Sequence, residues 1–336
     1  MNMKNIVNDI IKLAFSLLLG GGILYWMYRG FDFGSMSQVL KEGMNWWWML
    51  LSFPFGISAQ AFRALRWKQS LEPLGEHART SVAMNSIFLS YAASLIVPRV
   101  GEFTRCGVLK RYDGISFPKS LGTVVTERII DSLFLVALAA LIIILQADIF
   151  DTFFSRTGTN IDRMVCQFSA TGWVVTGVCA LAAAGLCLYL VKRLYLYRKV
   201  RQALDDVMKG ILSLRHVRSI PKYALFTIGI WASYFLHYYL TFFCFEATAS
   251  LGMACALVTF IVGSIAVVVP TPNGAGPWHF AVKTMLILYG VSSTDALYFV
   301  LIVHSVQTLL VVALGIFAMA TLALTKVKSE ERSVKN

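Results

Sequence analysis

The sequence is short of charge: only 14% of its 336 residues are charged, whereas a soluble domain has about 25%. Its hydrophobic fraction is 57% and its mean hydropathy is +0.67. This composition excludes an ordinary soluble domain and indicates a chain whose solvent is a lipid bilayer. The net charge of +12 does not indicate nucleic-acid binding, because the basic residues lie between apolar runs and form no basic and aromatic stripe.

The chain also lacks the motifs of catalysis and of metal binding. It has no GxSxG, HExxH or P-loop pattern, so we expect no enzyme activity, no catalytic residue and no cofactor. It has no CxxC pair and no histidine at zinc spacing, so we expect neither a metal site nor a disulfide framework. The cysteines occur singly and are interpreted as small packing residues: Cys106, Cys166, Cys179, Cys187, Cys244 and Cys255.

Long apolar segments are what the sequence has in abundance. A spanning helix needs about 20 mostly apolar residues, and six segments have this character. We therefore predict an all-α integral membrane protein with one polytopic domain, residues 1–325, and a cytosolic tail, residues 326–336. The first crossing is interpreted as a retained span, because no small-x-small cleavage site follows it. The predicted crossings are 10–28, 46–62, 129–147, 171–191, 223–246 and 295–322.

Basic residues follow the second and the fourth predicted crossing. The first group includes Arg63 and Arg66, and the second lies in the segment 192–222. The positive-inside rule places both groups in the cytosol, and six crossings then place both termini there. Residues 194–214 alternate basic, apolar and acidic positions, which fits a helix on the inner membrane surface and a solvated cytosolic helix equally well.

Two further apolar stretches, at about 82–111 and 253–290, are interrupted near the middle by proline and glycine. Broken backbone at membrane depth is tolerated where protein or a water-filled cavity satisfies it, so we interpret both as re-entrant hairpins that line a cavity. Val97-Pro98 and Val269-Pro270 lie 172 residues apart, and three crossings separate the hairpins. They would therefore enter from opposite sides, as in an inverted repeat with a substrate site between its halves. The predicted hairpin-breaking residues are Pro98, Gly101, Pro270, Pro272, Gly274 and Gly276.

The first hairpin contains three charged residues, Arg99, Glu102 and Arg105. Unpaired at the centre of a bilayer, three such charges would cost about 8 to 10 kcal/mol. We therefore expect them to pair with one another, to face water or to meet a charged ligand.

Glu127 and Asp131 lie four residues apart on one helix face and need a cation between them. Arg128, Arg99 or Arg105 can supply it. The resulting polar cluster can bind a phosphate through guanidinium groups, or it can be a structural ion-pair network that closes the hairpin. In the second half His279 can also relay protons. The predicted substrate-binding residues are Arg99, Glu102, Arg105, Glu127, Arg128, Asp131, Asn273, His279 and His304.

Four segments carry a resemblance to a known family: Ala64-Leu65-Arg66-Trp67, Pro98-Arg99-Val100-Gly101-Glu102-Phe103-Thr104-Arg105, Thr126-Glu127-Arg128-Ile129-Ile130-Asp131 and Pro270-Thr271-Pro272-Asn273-Gly274-Ala275-Gly276. Across nearly the whole chain they resemble the flippase-like transmembrane family typified by the membrane region of lysylphosphatidylglycerol synthase, the multiple peptide resistance factor. The resemblance implies an inverted-repeat translocase for an amino-acylated phospholipid, a polyprenyl-linked lipid or another lipid. That family usually has a glutamate near the position of His279. Eleven residues follow Thr325, so we expect no aminoacyl-transferase domain and no lysyl-lipid synthesis.

We therefore expect a membrane lipid translocase whose partners are membrane lipids. Two alternatives stay open: a secondary transporter of a small anionic solute, and a non-catalytic partner that presents lipid to a separate lipid-modifying synthase. A hydrophobic side opening toward lipid would favour the translocase, and a closed aqueous pocket would favour the solute transporter. The sequence is compatible with a homo-oligomer and predicts no nucleic-acid partner.

Overall fold

The computed structural model describes residues 43–147 and 198–335, together with residues 21–25, 27, 34, 39, 40 and 149. Throughout these residues the secondary structure is helical, apart from one isolated β-bridge between Met44 and Phe245. The all-α prediction is therefore confirmed for the described residues. The crossings predicted at 10–28 and 171–191 lie mostly or wholly outside the described residues, as do three of the six cysteines.

Ten α-helices follow one another from residue 46 onwards in the described part of the chain. Short 3₁₀ turns follow the first, fifth and sixth of them, and another lies between the eighth and the ninth. The helices are α1 (Trp46–Leu71), α2 (Thr80–Ile96), α3 (Val100–Asp113), α4 (Phe117–Leu145), α5 (Arg198–Leu212), α6 (Ile220–Tyr239), α7 (Glu246–Ala249), α8 (Gly252–Ala266), α9 (Pro277–Leu288) and α10 (Ser293–Lys335).

Local sequence explains where several of these helices begin and end. The Asn45 side chain caps α1 and accepts a hydrogen bond from the Trp47 N–H at 3.1 Å. Ser219 caps α6 in the same way and accepts from the Lys222 N–H at 3.4 Å. Helix α3 ends at Gly114, whose φ of 69° is a conformation that residues with a Cβ rarely adopt.

The helix of the second predicted crossing is longer than the sequence analysis indicated. The expected span 46–62 continues to Leu71, and Pro73 follows in the next turn. Arg63 and Arg66, which we placed in a basic segment after the crossing, are buried residues of α1 with exposures of 5% and 0%. Their assignment to a segment beyond the helix was wrong, because basic residues after an apolar run resemble a loop when their acidic partners lie far away in sequence.

Two helices in the described residues are long and apolar enough to cross a membrane. They are α4 and the part of α10 from Ser293 to Thr325. Helix α4 covers all but the last two residues of the crossing predicted at 129–147, and α10 contains the crossing predicted at 295–322. Helix α6 covers much of the predicted span 223–246 but ends at Tyr239, where a 3₁₀ turn follows. The number of crossings and the side on which each terminus lies stay predictions.

Both predicted hairpins are pairs of helices that pack against each other across a break: α2 with α3, and α8 with α9. Gly101 lies where α3 approaches α2, and a Cβ there would overlap the Ser90 carbonyl oxygen. Gly263 likewise lies where α8 approaches α9, and a Cβ there would lie 2.9 Å from Nε1 of Trp278. The helix–break–helix form is thus present at both places, while the depth of the breaks in a membrane and the inverted repeat stay predictions.

Helix α5, which contains most of the alternating segment 194–214, is docked on the first half of α4. The helices touch at Gly122 and Gly210, where a Cβ on either would overlap the backbone of the other helix. Thr126 adds a hydrogen bond, since its Oγ1 donates to the carbonyl oxygen of Ile211 at 2.9 Å. The first half of α4 therefore packs against α5 on one side. Its other side faces the polar residues described below.

Candidate functional site

Five buried charged side chains meet where α1, α3 and α4 approach one another. Nη1 of Arg63 and Nη2 of Arg66 each lie 2.8 Å from a carboxylate oxygen of Asp131. Nη1 of Arg105 lies 2.8 Å from Oε2 of Glu127. All five residues are 8% exposed or less. We call them the buried ion cluster, and the loss of one partner from such a group leaves a buried charge uncompensated.

Arg66 is the cation that lies between the two acidic side chains of α4. Its Nε is 3.7 Å from Oε1 of Glu127, while its Nη2 forms the short contact with Asp131. Its Nη1 donates to Oγ1 of Thr227 on α6 at 3.2 Å, and its guanidinium carbon lies 5.6 Å from the centroid of the Tyr223 ring. A cation between the two carboxylates was predicted, but from the first hairpin or α4 and not from α1.

Arg105 is held by an aromatic ring as well as by a carboxylate. Its guanidinium carbon lies 4.7 Å from the centroid of the Trp67 ring, a distance at which a cation is attracted to the ring face. Nε1 of Trp67 donates in turn to Oγ1 of Thr123 at 2.8 Å, which fixes the ring. Trp67 therefore orients Arg105 from the helix that also carries the other two arginines of the cluster.

The buried ion cluster carries an excess of positive charge, since three guanidinium groups face two carboxylates. It also has unused donors: Nε of Arg63 and Nη2 of Arg105 are buried and have no hydrogen-bond partner within the described residues. A buried charge without a counter-charge is unfavourable. The cluster is therefore suited to an anionic group bound at its edge.

Glu102 and Arg128 form that edge. Nε of Arg128 lies 3.4 Å from Oε1 of Glu102, and its Nη2 lies 4.0 Å from Oδ2 of Asp131. The side chains of Glu102 and Arg128 are 35% and 43% exposed, so this pair reaches the surface. They line one end of a groove of about 390 Å³, whose other residues are Val125, Ile129, Ser132, Leu133 and Val136 of α4. The groove thus has a charged end and a mostly apolar side.

Arg99 lies at the break of the first hairpin and does not join the ion pairs with which the sequence analysis grouped it. Its backbone is left-handed, with φ 63° and ψ −1°. Its Nη2 donates to the carbonyl oxygen of Val268, just beyond the end of α8, at 2.9 Å. Arg99 therefore connects the tips of the two hairpins.

Three predicted residues of the second half come together between the second hairpin and α10. Nδ2 of Asn273 donates to Oγ1 of Thr308 at 2.7 Å. The backbone carbonyl oxygen of Asn273 lies 3.1 Å from Nε2 of His304. The imidazole rings of His279 and His304 are 4.4 Å apart between centroids, and Nδ1 of His279 accepts from the N–H of Gly276 at 3.3 Å. No group of His, Cys, Asp and Glu suited to a metal ion occurs within the described residues.

The residues predicted to break the helices have two different places in the structure. Pro98 lies between α2 and α3, whereas Gly101 is already inside α3, where its lack of a side chain permits the close contact with α2. Gly276 has a φ of 90°, which favours glycine. The others lie with it between α8 and α9: Pro270, Pro272 and Gly274.

Comparison with known proteins agrees with the resemblance in the sequence. The model of a family described as lysylphosphatidylglycerol synthase TM region matches residues 10–315. Glycosyltransferase AglD of Haloferax volcanii is 26% identical over 132 residues, which are 37% of this chain and 21% of that protein, so this chain spans a minor part of its length. No solved structure matches. Because the family model covers most of the sequence, the chain belongs to the family of the lysylphosphatidylglycerol synthase TM region.

Proposed function

We propose that the protein is a lipid translocase that moves a phospholipid-like lipid, or another anionic or amino-acylated lipid, between the leaflets of a bacterial cytoplasmic membrane. The observation that carries this proposal is the groove beside α4, which is charged at one end and apolar along its side. A phospholipid has the same division. The open apolar side favours a lipid over a small anionic solute, which needs an enclosed aqueous pocket.

The charged end of the groove offers both signs of charge to a headgroup. The guanidinium group of Arg128 can hold a phosphate through forked hydrogen bonds, and the carboxylate of Glu102 can hold an ammonium group. Their own pair is partly exposed and 3.4 Å long, and exposed pairs contribute about 0 to 1 kcal/mol. A headgroup can therefore separate the two side chains at little cost, while the excess charge of the buried ion cluster attracts its phosphate.

The apolar side of the groove is long enough to accompany an acyl chain through one leaflet. Val125, Ile129, Leu133 and Val136 follow one face of α4 and are 38% to 66% exposed. The eleven steps of helix from the first of these residues to the last span about 16 Å, or about half of a hydrocarbon core of about 30 Å. A lipid with its headgroup at Arg128 would therefore keep its chain against α4.

The proposal includes two oppositely oriented re-entrant hairpins, N and C termini in the cytosol, and a substrate path at the junction of the hairpins. The contact between Arg99 and the carbonyl oxygen of Val268 supports such a junction, because it joins the first break to the start of the second. Both breaks also contain a left-handed residue other than glycine, Arg99 and Asn273. These features give the two halves a common local form.

The test is a translocation assay with the purified full chain in liposomes that contain a headgroup-labelled phospholipid. Glu102→Gln and Arg128→Gln should each slow the exchange of label between leaflets at least tenfold, since a hydrogen bond to a charged group contributes about 1.5 to 3 kcal/mol. The matched control is Lys209→Gln, which removes a pair of the same 3.4 Å length on α5. Wild-type rates in both groove variants, at equal folded yield, would contradict the proposal.

A second candidate is a membrane module that presents lipid to a separate enzyme. It is favoured by the partial match to a protein named as a glycosyltransferase and by a family named after the membrane region of a synthase. The deciding result is a labelled lipid that binds at the groove and yet moves between the leaflets no faster than in protein-free liposomes. In that case this candidate replaces the translocase. Activity should then appear only when a lipid-modifying enzyme is co-expressed.

A further inference from the structure

A second cleft lies between the first hairpin and the last helix, and it shares no residue with the groove beside α4. Its volume is about 330 Å³, within the range of about 300 to 1,000 Å³ for small-ligand sites. It has both polar and apolar walls. The residues that line it are Leu89, Thr104, Gly107, Val108, Arg111, Tyr112, Met319, Leu322 and Ala323.

One face of α3 forms the floor of this cleft, because Thr104, Gly107, Val108 and Arg111 recur at intervals of three and four residues. At the centre of this face a Cβ on Gly107 would meet no protein atom within 4 Å. The space above the helix is therefore open, in contrast to Gly101 one and a half turns earlier, where a Cβ would overlap α2. Helix α10 supplies the apolar wall opposite.

Arg111 gives one end of the cleft a positive charge. Its guanidinium carbon lies 5.9 Å from the centroid of the Tyr112 ring, and it forms no ion pair within the described residues. Arg79, near the same end of α3, is by contrast paired with Asp113 at 2.6 Å. Within the described residues Arg111 is therefore available to an anionic group at this end of the cleft.

The neighbouring sequence is also basic. Lys110 precedes the arginine of the cleft, and Lys326 and Lys328 follow the segment of α10 that forms its wall. Basic pockets between membrane helices favour the headgroups of anionic lipids. A zwitterionic headgroup would find no acidic residue among the residues that line this cleft.

We propose that this cleft binds an anionic phospholipid as a resident lipid. The phosphate lies at Arg111, and one acyl chain runs over Gly107 between α3 and α10. The bound lipid fills the space between the first hairpin and the last helix. It is distinct from the lipid that is moved along α4, because the two sites use separate residues.

The experiment measures lipid binding to the purified full chain by native mass spectrometry during titration with phosphatidylglycerol or phosphatidylcholine. Arg111→Gln removes the charge. Gly107→Leu extends a side chain into the open space, where its Cβ meets no protein atom within 4 Å, and leucine has a better helix propensity than glycine. Each should weaken phosphatidylglycerol binding at least tenfold. Lys110→Gln removes the adjacent cation, which lies outside the cleft, and should weaken binding much less than Arg111→Gln does.

Three results would overturn the proposal. Unchanged phosphatidylglycerol binding in Arg111→Gln and Gly107→Leu would show that the cleft is not the site. Equal binding of phosphatidylcholine, or an equal loss in Lys110→Gln, would show that the charge at the cleft is not recognised. Failure of Gly107→Leu to fold would show that another segment of the chain fills the space. None of these results bears on translocation through the groove, for which Glu102→Gln is the separate test.

Discussion

The charge balance of the buried ion cluster predicts that loss of a carboxylate costs more stability than loss of the central arginine. Asp131→Asn removes the partner of both Arg63 and Arg66, each at 2.8 Å, and leaves three guanidinium groups around one carboxylate. Breaking a buried pair in this way costs about 3 to 5 kcal/mol. Arg66→Met leaves two complete pairs without net charge, so we expect a loss of about 1 to 3 kcal/mol from the hydrogen-bonding groups left unpaired.

The double variant makes the reasoning sharper. Removal of Arg66 from Asp131→Asn restores the original excess of one positive charge, because Arg63, Arg105 and Glu127 remain. The double variant should therefore be more stable than Asp131→Asn alone, although it lacks one more native side chain. Ordinary loss of packing predicts the opposite order, since each truncation would then add its own cost.

The assay is denaturant or thermal unfolding of the detergent-solubilised protein, followed by the fluorescence of its 8 tryptophans. A monodisperse elution profile establishes that each variant starts from a folded state. A lower stability of Arg66→Met than of Asp131→Asn would contradict the charge balance. A lower stability of the double variant than of Asp131→Asn would contradict it as well.

Two predictions concern the hairpins. Gly101→Ala should destabilise the protein by about 1 to 3 kcal/mol, because its Cβ overlaps the Ser90 carbonyl oxygen, whereas Gly107→Ala on the same helix should be neutral or stabilising; unfolding of the two variants in parallel checks this contrast. Asn273→Ala should lose both the bond to Thr308 and the tolerance for a φ of 52°, whereas Asn273→Gly loses only the bond. The unfolding free energies of these two variants should therefore differ by about 1 to 2 kcal/mol, and equal values would contradict the backbone argument.

The helical architecture and both hairpins followed from composition and from the positions of proline and glycine. These signals are local: a long apolar run requires a helix in lipid, and proline removes a backbone donor wherever it stands. The same reasoning brought Arg105, Glu127 and Asp131 into one cluster, because charges of opposite sign in an apolar chain must find one another.

The arginines of α1 could not be assigned in this way. Arg63 and Arg66 follow an apolar run, and a cytosolic loop has that pattern too. Their spacing of three, which places both on one helix face, was the signal that could have identified them. Arg99 was misplaced for a related reason, since its left-handed backbone turns the side chain toward the other hairpin and away from α4. Distances between separate helices are set by packing, which a single sequence does not encode position by position.

The hydrogen bond between Arg99 and the carbonyl oxygen of Val268 holds the hairpin tips together, beside the contact of α2 with residues Pro272–Gly274. A bond from a charged donor is worth about 1.5 to 3 kcal/mol, which corresponds to a population ratio of about 10 to about 160. This bond taken by itself would leave the separated arrangement occupied for up to about 10% of the time at equilibrium. Thermal motion alone would then open the junction. A lipid phosphate that competes for the guanidinium group of Arg99 would hold the junction open, so the lipid itself would favour the open arrangement.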